Sequence, residues 1–156
     1  MYPHPKATTS FKYPEDGLLQ LRGVVQEGEL RHPHTMLDAD GEECLLVIKN
    51  GNATGLTIGR LTGIESFTRE IDAYDIRSTS MEVAIHPYSR KVGGAFSAPG
   101  DSGSVVVDGK GRIVGIITAG CGPTDSTDVT YVTPFYWVLE RIKAVFPNAH
   151  LYPITA

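Results

Sequence analysis

A chain of 156 residues with 41% hydrophobic content is long enough for one compact domain with a proper core and too short for two full domains. Its net charge of −4 is mild and no run of lysine or arginine occurs, which excludes nucleic acid as an expected partner. No apolar run approaches the ~20 residues that span a bilayer, so no membrane partner is expected.

The N-terminus lacks the charged-then-apolar order of a signal peptide. The localisation therefore stays open, and it is cytoplasmic if Met1 is the true start. Cys44 and Cys121 are far apart in sequence, which is not the pattern of a disulfide framework. We expect two reduced, partly buried thiols, although the sequence alone does not settle whether they pair.

Residues 1–42 are rich in proline and polar residues, with one short apolar run from Leu18 to Val25. This composition predicts an extended N-terminal arm that contributes about one strand. Asp38-Ala39-Asp40-Gly41 predicts a turn, because short acidic side chains cap turns and glycine accepts a positive φ.

Short strands are expected to follow. Cys44 to Lys49 is almost continuously apolar, as in a buried strand, and Asn50-Gly51 is a strong hairpin signal. Similar patterns predict strands at 54–64, 67–71, 81–85, 105–107, 112–118 and 129–133. About six or seven strands with no helix between them favour an all-β antiparallel barrel or sandwich.

One helix is predicted near the C-terminus, with Thr133 as its cap, Pro134 at its first position and Pro147 at its end. Apolar residues recur through it at helical spacing: Trp137, Val138, Ile142, Val145 and Phe146. Amphipathic spacing of this kind predicts that they face the core.

The candidate chemistry is concentrated in Gly100-Asp101-Ser102-Gly103. Acyl transfer through a serine needs a base for the hydroxyl and amide donors for the developing oxyanion. A glycine at 100 lets the amides of Gly100 and Ser102 point to one spot, while Asp101 turns inward and braces the loop. The alternative is a tight turn whose serine has no chemical role, since short motifs match by chance.

This loop and its surroundings resemble the C-terminal barrel of trypsin-like (chymotrypsin-fold) serine peptidases. The resemblance covers Gly100 to Val105, the strand Gly115 to Gly120, and Thr130 to Pro134 leading into the final helix. The first hairpin, from Lys49 to Gly59, is similar to that of bacterial and fungal members. The match spans roughly two thirds of the chain, from about residue 45 to 146. More loosely, the chain resembles the C-terminal portion of larger fungal trypsin-like proteins.

The resemblance implies an antiparallel Greek-key six-stranded barrel with a C-terminal α-helix over residues 43–150. It also implies Ser102 as the catalytic nucleophile and the amides of Gly100 and Ser102 as the oxyanion hole. Thr118, Ala119 and Gly120 would pair with an extended peptide or protein substrate. Neither a cofactor nor a metal is implied.

Phe96 would fall near the base of the pocket that sets specificity in this family, which favours an apolar or small substrate side chain.

The sequence departs from the family at the general base. The family carries its histidine and aspartate on an N-terminal barrel, whereas only about 45 residues precede the barrel here, and none resembles the histidine motif. His32 and His34 are the only histidines expected on a segment that reaches over the site, and they lack further ligands for zinc. In the family, a freed N-terminal amine pairs with the aspartate that precedes the nucleophile. This sequence lacks the usual start of that N-terminus, so Asp101 needs another partner.

Three functions remain open. The chain is a serine endopeptidase domain whose base comes from an upstream segment or a partner chain. Alternatively, it is a catalytically inert, peptidase-like module that holds a peptide or protein along residues 118–120. The third is a half-barrel that self-associates, because a lone C-terminal barrel exposes the face that a partner chain or second copy would cover.

Overall fold

The computed structural model describes residues 19–71, 77–88, 94–122 and 129–151. The helices in these ranges are α1 (Glu27–Arg31) and α2 (Phe135–Val145), and neither is long and apolar enough to cross a bilayer. The strands are β1 (Met36–Leu37), β2 (Glu43–Gly51), β3 (Gly55–Ile71), β4 (Arg77–Pro87), β5 (Val105–Asp108), β6 (Ile113–Cys121) and β7 (Val129–Pro134).

These strands form one sheet in the order β1-β2-β3-β4-β7-β6-β5, and β2 also pairs with β5. Every pairing between them is antiparallel. The prediction of an all-β chain with a C-terminal helix is confirmed at this level.

The strands predicted at 54–64 and 67–71 are one strand, β3, interrupted by an irregularity in its pairing with β4. Leu61 pairs with Ile85, and the next pair is Glu65 with Val83. The additional residues on β3 form a bulge, which bends a strand without ending it. Gly63 lies in this bulge with a φ of +86°.

The main core lies along the strands and draws in the segment before β1. Its buried members are Val25, Leu30, Leu45, Val47, Leu61, Val83, Ile85, Phe96, Val106, Val114, Ile117 and Val132. The apolar run of β2 is continuous because both faces of the strand are covered. Leu45 and Val47 face the main core, whereas Cys44 and Leu46 join a second cluster with Met36.

The described part of the predicted arm, residues 19–42, contains α1 as well as β1. The Val25 amide donates to the Ile113 carbonyl at 2.9 Å, and the Arg112 guanidinium forms two 2.7 Å hydrogen bonds with the Glu29 carboxylate. The turn predicted at 38–41 is present, since the Asp38 carboxylate accepts the amides of residues 40 and 42. This stretch is therefore packed onto the sheet rather than being only an extended arm.

The predictions for the C-terminal helix need two corrections. Thr133 does not cap α2, because it pairs with Ile116 in the sheet, and Pro134 is the residue at the cap position. No residue of α2 is buried, and Trp137 is 45% exposed. The apolar spacing correctly indicates an amphipathic helix, but spacing does not show what covers its apolar face.

The two cysteines are free thiols, as expected. The expected burial is wrong for Cys121, which is exposed, whereas Cys44 is buried. Burial raises the pKa of the Cys44 thiol to about 12, and the nearby Asp38 carboxylate adds to the rise. Cys44 is therefore an inert packing residue at neutral pH.

Gly63→Ala is expected to destabilise the chain more than Gly55→Ala. Both glycines have left-handed φ values, +86° and +61°, so each alanine costs roughly 1 to 2 kcal/mol. A Cβ on Gly63 would also collide with the Arg31 carbonyl, whereas nothing lies within 4 Å of a Cβ on Gly55. Urea unfolding should show an extra loss of about 1 kcal/mol or more for Gly63→Ala. Equal losses of unfolding free energy in the two variants would contradict this expectation. They would show that the Arg31 carbonyl moves away from the new Cβ without destabilising the chain.

Candidate active site

The loop that carries Ser102 is held by its own backbone and by β6. The Asp101 amide donates to the Ala98 carbonyl, and the Ser104 amide donates to the Asp101 carbonyl, both at 3.0 Å. The Gly103 amide donates to the Ile117 carbonyl at 2.8 Å, and the Ile117 amide returns a 3.0 Å bond to the Ser104 carbonyl. The loop is therefore a pair of tight turns attached directly to the middle of β6.

Two amides of this loop are left over. The N–H groups of Gly100 and Ser102 donate to no group in the described ranges, and both residues are exposed. Gly100 has a φ of +103° and Gly103 a φ of +86°, conformations that favour glycine. The loop therefore offers solvent a serine hydroxyl together with two free backbone donors, which are the groups that an oxyanion hole needs.

The Asp101 side chain turns inward and is completely buried. Its Oδ2 lies 3.0 Å from Lys49 Nζ, 2.6 Å from the Thr54 hydroxyl and 3.1 Å from the Ala98 amide. Its Oδ1 accepts the Ala53 amide at 2.7 Å and the Thr54 amide at 3.2 Å. The carboxylate is therefore surrounded by donors on both oxygens.

These contacts decide the charge of Asp101. Burial alone would raise the pKa of its carboxyl, but hydrogen bonds from Thr54, Lys49 and the backbone hold that pKa well below its usual range. The Lys49 ammonium also donates to the Thr54 hydroxyl and to the Gly55 carbonyl, the latter at 3.0 Å. The ionised aspartate and the ammonium therefore have their hydrogen bonds satisfied without water.

Lys49 is the partner that Asp101 was expected to need, and the sequence analysis did not identify it. The sequence nevertheless contains a signal that Lys49 is buried and needs a partner. Side chains alternate along a strand, so Lys49 shares the face of Leu45 and Val47, which are buried. A lysine at an inward position needs a counter-charge, because burying an unpaired ammonium is costly.

The two histidines considered as general bases, His32 and His34, lie far from Ser102. Gly55, at the start of β3, contacts the buried ion pair through its carbonyl. Gly63 is eight positions further along β3 and approaches the residues on either side of His32. Eight residues of strand span roughly 26 Å, so neither imidazole is in reach of the serine.

The Ser102 hydroxyl forms no hydrogen bond with any residue of the described ranges, so none of their imidazoles is attached to it. His150, beyond α2, contacts the Asn148 carbonyl at 3.0 Å, and His4 lies outside the described residues. Within those ranges no cluster of three or more histidine, cysteine or acidic side chains is placed to hold a metal. The described residues around Ser102 thus offer a serine hydroxyl and two amide donors, without a base beside them.

The residues expected to bind substrate lie at an open part of β6. Pairing with β5 ends at Ile116, whereas Ala119 and Gly120 pair with β7 on the other side. Thr118 is exposed, and no described strand pairs with the β5 side of residues 118–120. An open edge of this kind accepts an extended peptide as an added strand.

Phe96 belongs to the main core and is only 1% exposed. Its carbonyl accepts the Thr57 hydroxyl at 2.6 Å, and the next residue, Ser97, shares a 2.6 Å hydrogen bond with the buried Thr130 hydroxyl. The Phe96 ring is therefore part of the main core, and its place near the base of a specificity pocket stays a prediction.

Comparison with models of known protein families finds no match for this chain, and comparison with curated proteins finds none either. The trypsin-like resemblance therefore stays a prediction, and a function for this chain has to be inferred from the geometry of the Ser102 loop.

Removing both charges of the buried pair should make the free energy of unfolding fall less steeply as the pH is lowered into the acid range. Because the pKa of Asp101 is lower in the folded chain than in the unfolded chain, its ionised form stabilises the fold. This contribution to the free energy of unfolding is complete above about pH 5 and decreases as the unfolded chain takes up a proton near pH 4. One such carboxyl accounts for up to about 1.4 kcal/mol per pH unit. The double variant Lys49→Met, Asp101→Asn should therefore show a shallower slope than the wild type between about pH 4 and pH 2.

Urea unfolding across that interval measures the slope, and Asp40→Asn, at an exposed carboxylate, is the matched control. A double variant with the wild-type slope would show that Asp101 titrates normally in the folded chain.

Proposed function

We propose that this chain is the Ser102-bearing part of a trypsin-like serine peptidase. Ser102 is the nucleophile that attacks a peptide carbonyl, and the amides of Gly100 and Ser102 bind the oxygen of the tetrahedral intermediate. One observation carries the proposal. The amides of residues 101, 103 and 104 donate to the carbonyls of Ala98, Ile117 and Asp101, whereas those of residues 100 and 102 donate to no group in the described ranges and are left for a ligand.

The open edge of β6 supports a peptide as the ligand. The loop is bonded to Ile117, the residue at which the edge opens, through Gly103 and Ser104. A peptide added along residues 118–120 therefore begins beside Ser102, where its carbonyl meets the hydroxyl and the two amides. Backbone pairing of this kind recognises extended chains.

The strand pairings support the finer fold that the proposal requires. Each of the six strands β2 to β7 pairs with two others of the six, and β2 also pairs with β1. The β2–β5 pairing joins the two ends of the row β2-β3-β4-β7-β6-β5. We interpret this cycle as an antiparallel six-stranded barrel around the main core. In that arrangement the Ser102 loop enters β5 at the same end of the barrel as the β2–β3 hairpin.

Hydrolysis also needs a general base, which the proposal assigns to a segment outside the described residues or to a second polypeptide. A serine without its base retains about 10³- to 10⁴-fold acceleration over water from the oxyanion hole and binding alone. The described residues by themselves are therefore nearly inert toward peptides.

A second candidate is a peptide-binding module that uses the same edge without catalysis. The Ser102 hydroxyl favours it, because it has no hydrogen bond to any residue of the described ranges. The two candidates share the site and differ in whether the serine reacts.

A fluorophosphonate probe should label the purified chain slowly and at Ser102 alone, as measured by intact mass and peptide mapping. Ser102→Ala should abolish labelling. Ser104→Ala is the matched control, because its loop contacts are made by the backbone and it should label like the wild type.

Fast stoichiometric labelling of Ser102 would show that a base is present and would rule out the binding module. Complete absence of labelling after prolonged exposure, in a chain that still binds an extended peptide, would contradict the peptidase proposal.

A further inference from the structure

A second concave site lies between the first half of β4 and the start of α2. It is a cavity of about 240 Å³, lined on one side by Met81 and Glu82 and on the other by Tyr136 and Trp137. It is remote from the Ser102 loop along the same strands. Ile85 pairs with Thr130 near the loop, Val83 pairs with Val132, and the cavity lies beyond them.

Among the polar residues that line this cavity, Glu82 is the charged one, and it has no partner in the described ranges. Glu82 is only 3% exposed, and its Oε2 is buried with no hydrogen bond. Neither an ion pair nor a hydrogen bond to Glu82 is found among the described residues. Buried carboxylates in folded proteins are normally paired, because an unpaired one loses its hydration without compensation. The unpartnered oxygen therefore indicates a ligand that supplies the missing charge.

The other walls suit the apolar part of such a ligand. Trp137 is 45% exposed, Tyr136 packs against the main core, and Pro134 also lines the cavity. The Trp137 ring already carries a cation, since the Arg141 guanidinium lies 5.0 Å from its centroid. Indole rings attract positive charge through their π faces.

The surrounding charges have the matching sign. The pKa of the Tyr136 phenol is raised first by burial and then by the Glu27 carboxylate, with Glu65 and Glu140 adding to the rise and Arg31 opposing it. Three carboxylates thus act on the phenol at one wall of the cavity, against the guanidinium of Arg31 and, beside Trp137, that of Arg141. A cation is favoured there and an anion is disfavoured.

We propose that this cavity binds an alkylammonium or alkylguanidinium group, with the Glu82 carboxylate as counter-charge and the Trp137 ring as apolar wall. Its volume is below the roughly 300 to 1,000 Å³ of small-molecule pockets, so it takes one such group rather than a large ligand. The site is independent of Ser102, and its occupancy does not require the peptidase proposal to be correct.

The test uses the full chain and its single tryptophan, Trp137. The indole N–H resonance of ¹⁵N-labelled protein is followed during titration with n-butylammonium and, separately, with 1-butanol, a neutral molecule of similar shape. The ammonium should give a saturable shift with an affinity at least tenfold higher than that of the alcohol. Equal affinities, or a shift that does not saturate, would overturn the proposal without any variant.

Glu82→Gln keeps the shape of the side chain and removes its charge, so it should weaken n-butylammonium binding at least tenfold and leave 1-butanol unchanged. Glu43→Gln, at an exposed carboxylate at the start of β2, is the matched control and should bind like the wild type. Unchanged ammonium affinity in a folded Glu82→Gln chain would contradict the assignment.

The alkylammonium group has two possible sources, a lysine side chain of a polypeptide and a free amine. Titration with N-acetyl-lysine methylamide distinguishes them. Affinity equal to that of n-butylammonium identifies a polypeptide side chain, and affinity at least tenfold weaker identifies a free amine.

Discussion

The Ser102 loop depends on one buried ion pair, Lys49 with Asp101. Both side chains are fully buried and their charged atoms are 3.0 Å apart. Removing two charges from water costs several kcal/mol per ion, and the pair is stable only when the remaining donors and acceptors are also satisfied. Thr54 and the neighbouring amides meet that condition. Lys49 is thus the buried counter-charge of the Asp101 carboxylate in this chain.

This pair connects the site to the sheet. Asp101 lies between Gly100 and Ser102, so fixing its side chain on the β2–β3 hairpin also fixes the backbone that presents the two free amides. The bonds between the loop and Ile117 hold the other end against β6, next to the open edge. The positions of Ser102, the two amides and the open edge of β6 thus depend on the ion pair at one end of the loop and on the bonds to Ile117 at the other. The Glu82 cavity lies at the other end of β4 and β7 and does not share this constraint.

Local patterns predicted most of the strands, because alternation and turn residues act over a few positions. They did not predict that residues 55–71 form one strand, since the bulge at Gly63 is stabilised by contact with the distant Arg31 segment. They predicted an amphipathic α2 but wrongly placed its apolar face in the core. For the site, the sequence indicated the loop and the inward Asp101. Lys49 was missed because the two residues are 52 positions apart, and pairing at that separation is a property of the fold.

Hydrogen exchange in Lys49→Met tests the role of the ion pair most directly. If the pair holds the loop, the amides of Ala53 and Gly103, which donate to Asp101 and Ile117, should lose at least tenfold more protection than the sheet amides of Val47 and Leu61. The sheet amides report any global loss of stability, so the excess measures opening of the loop alone. A folded variant in which Ala53 and Gly103 keep wild-type protection relative to the sheet would contradict the claim that Lys49 and Asp101 hold the Ser102 loop in place.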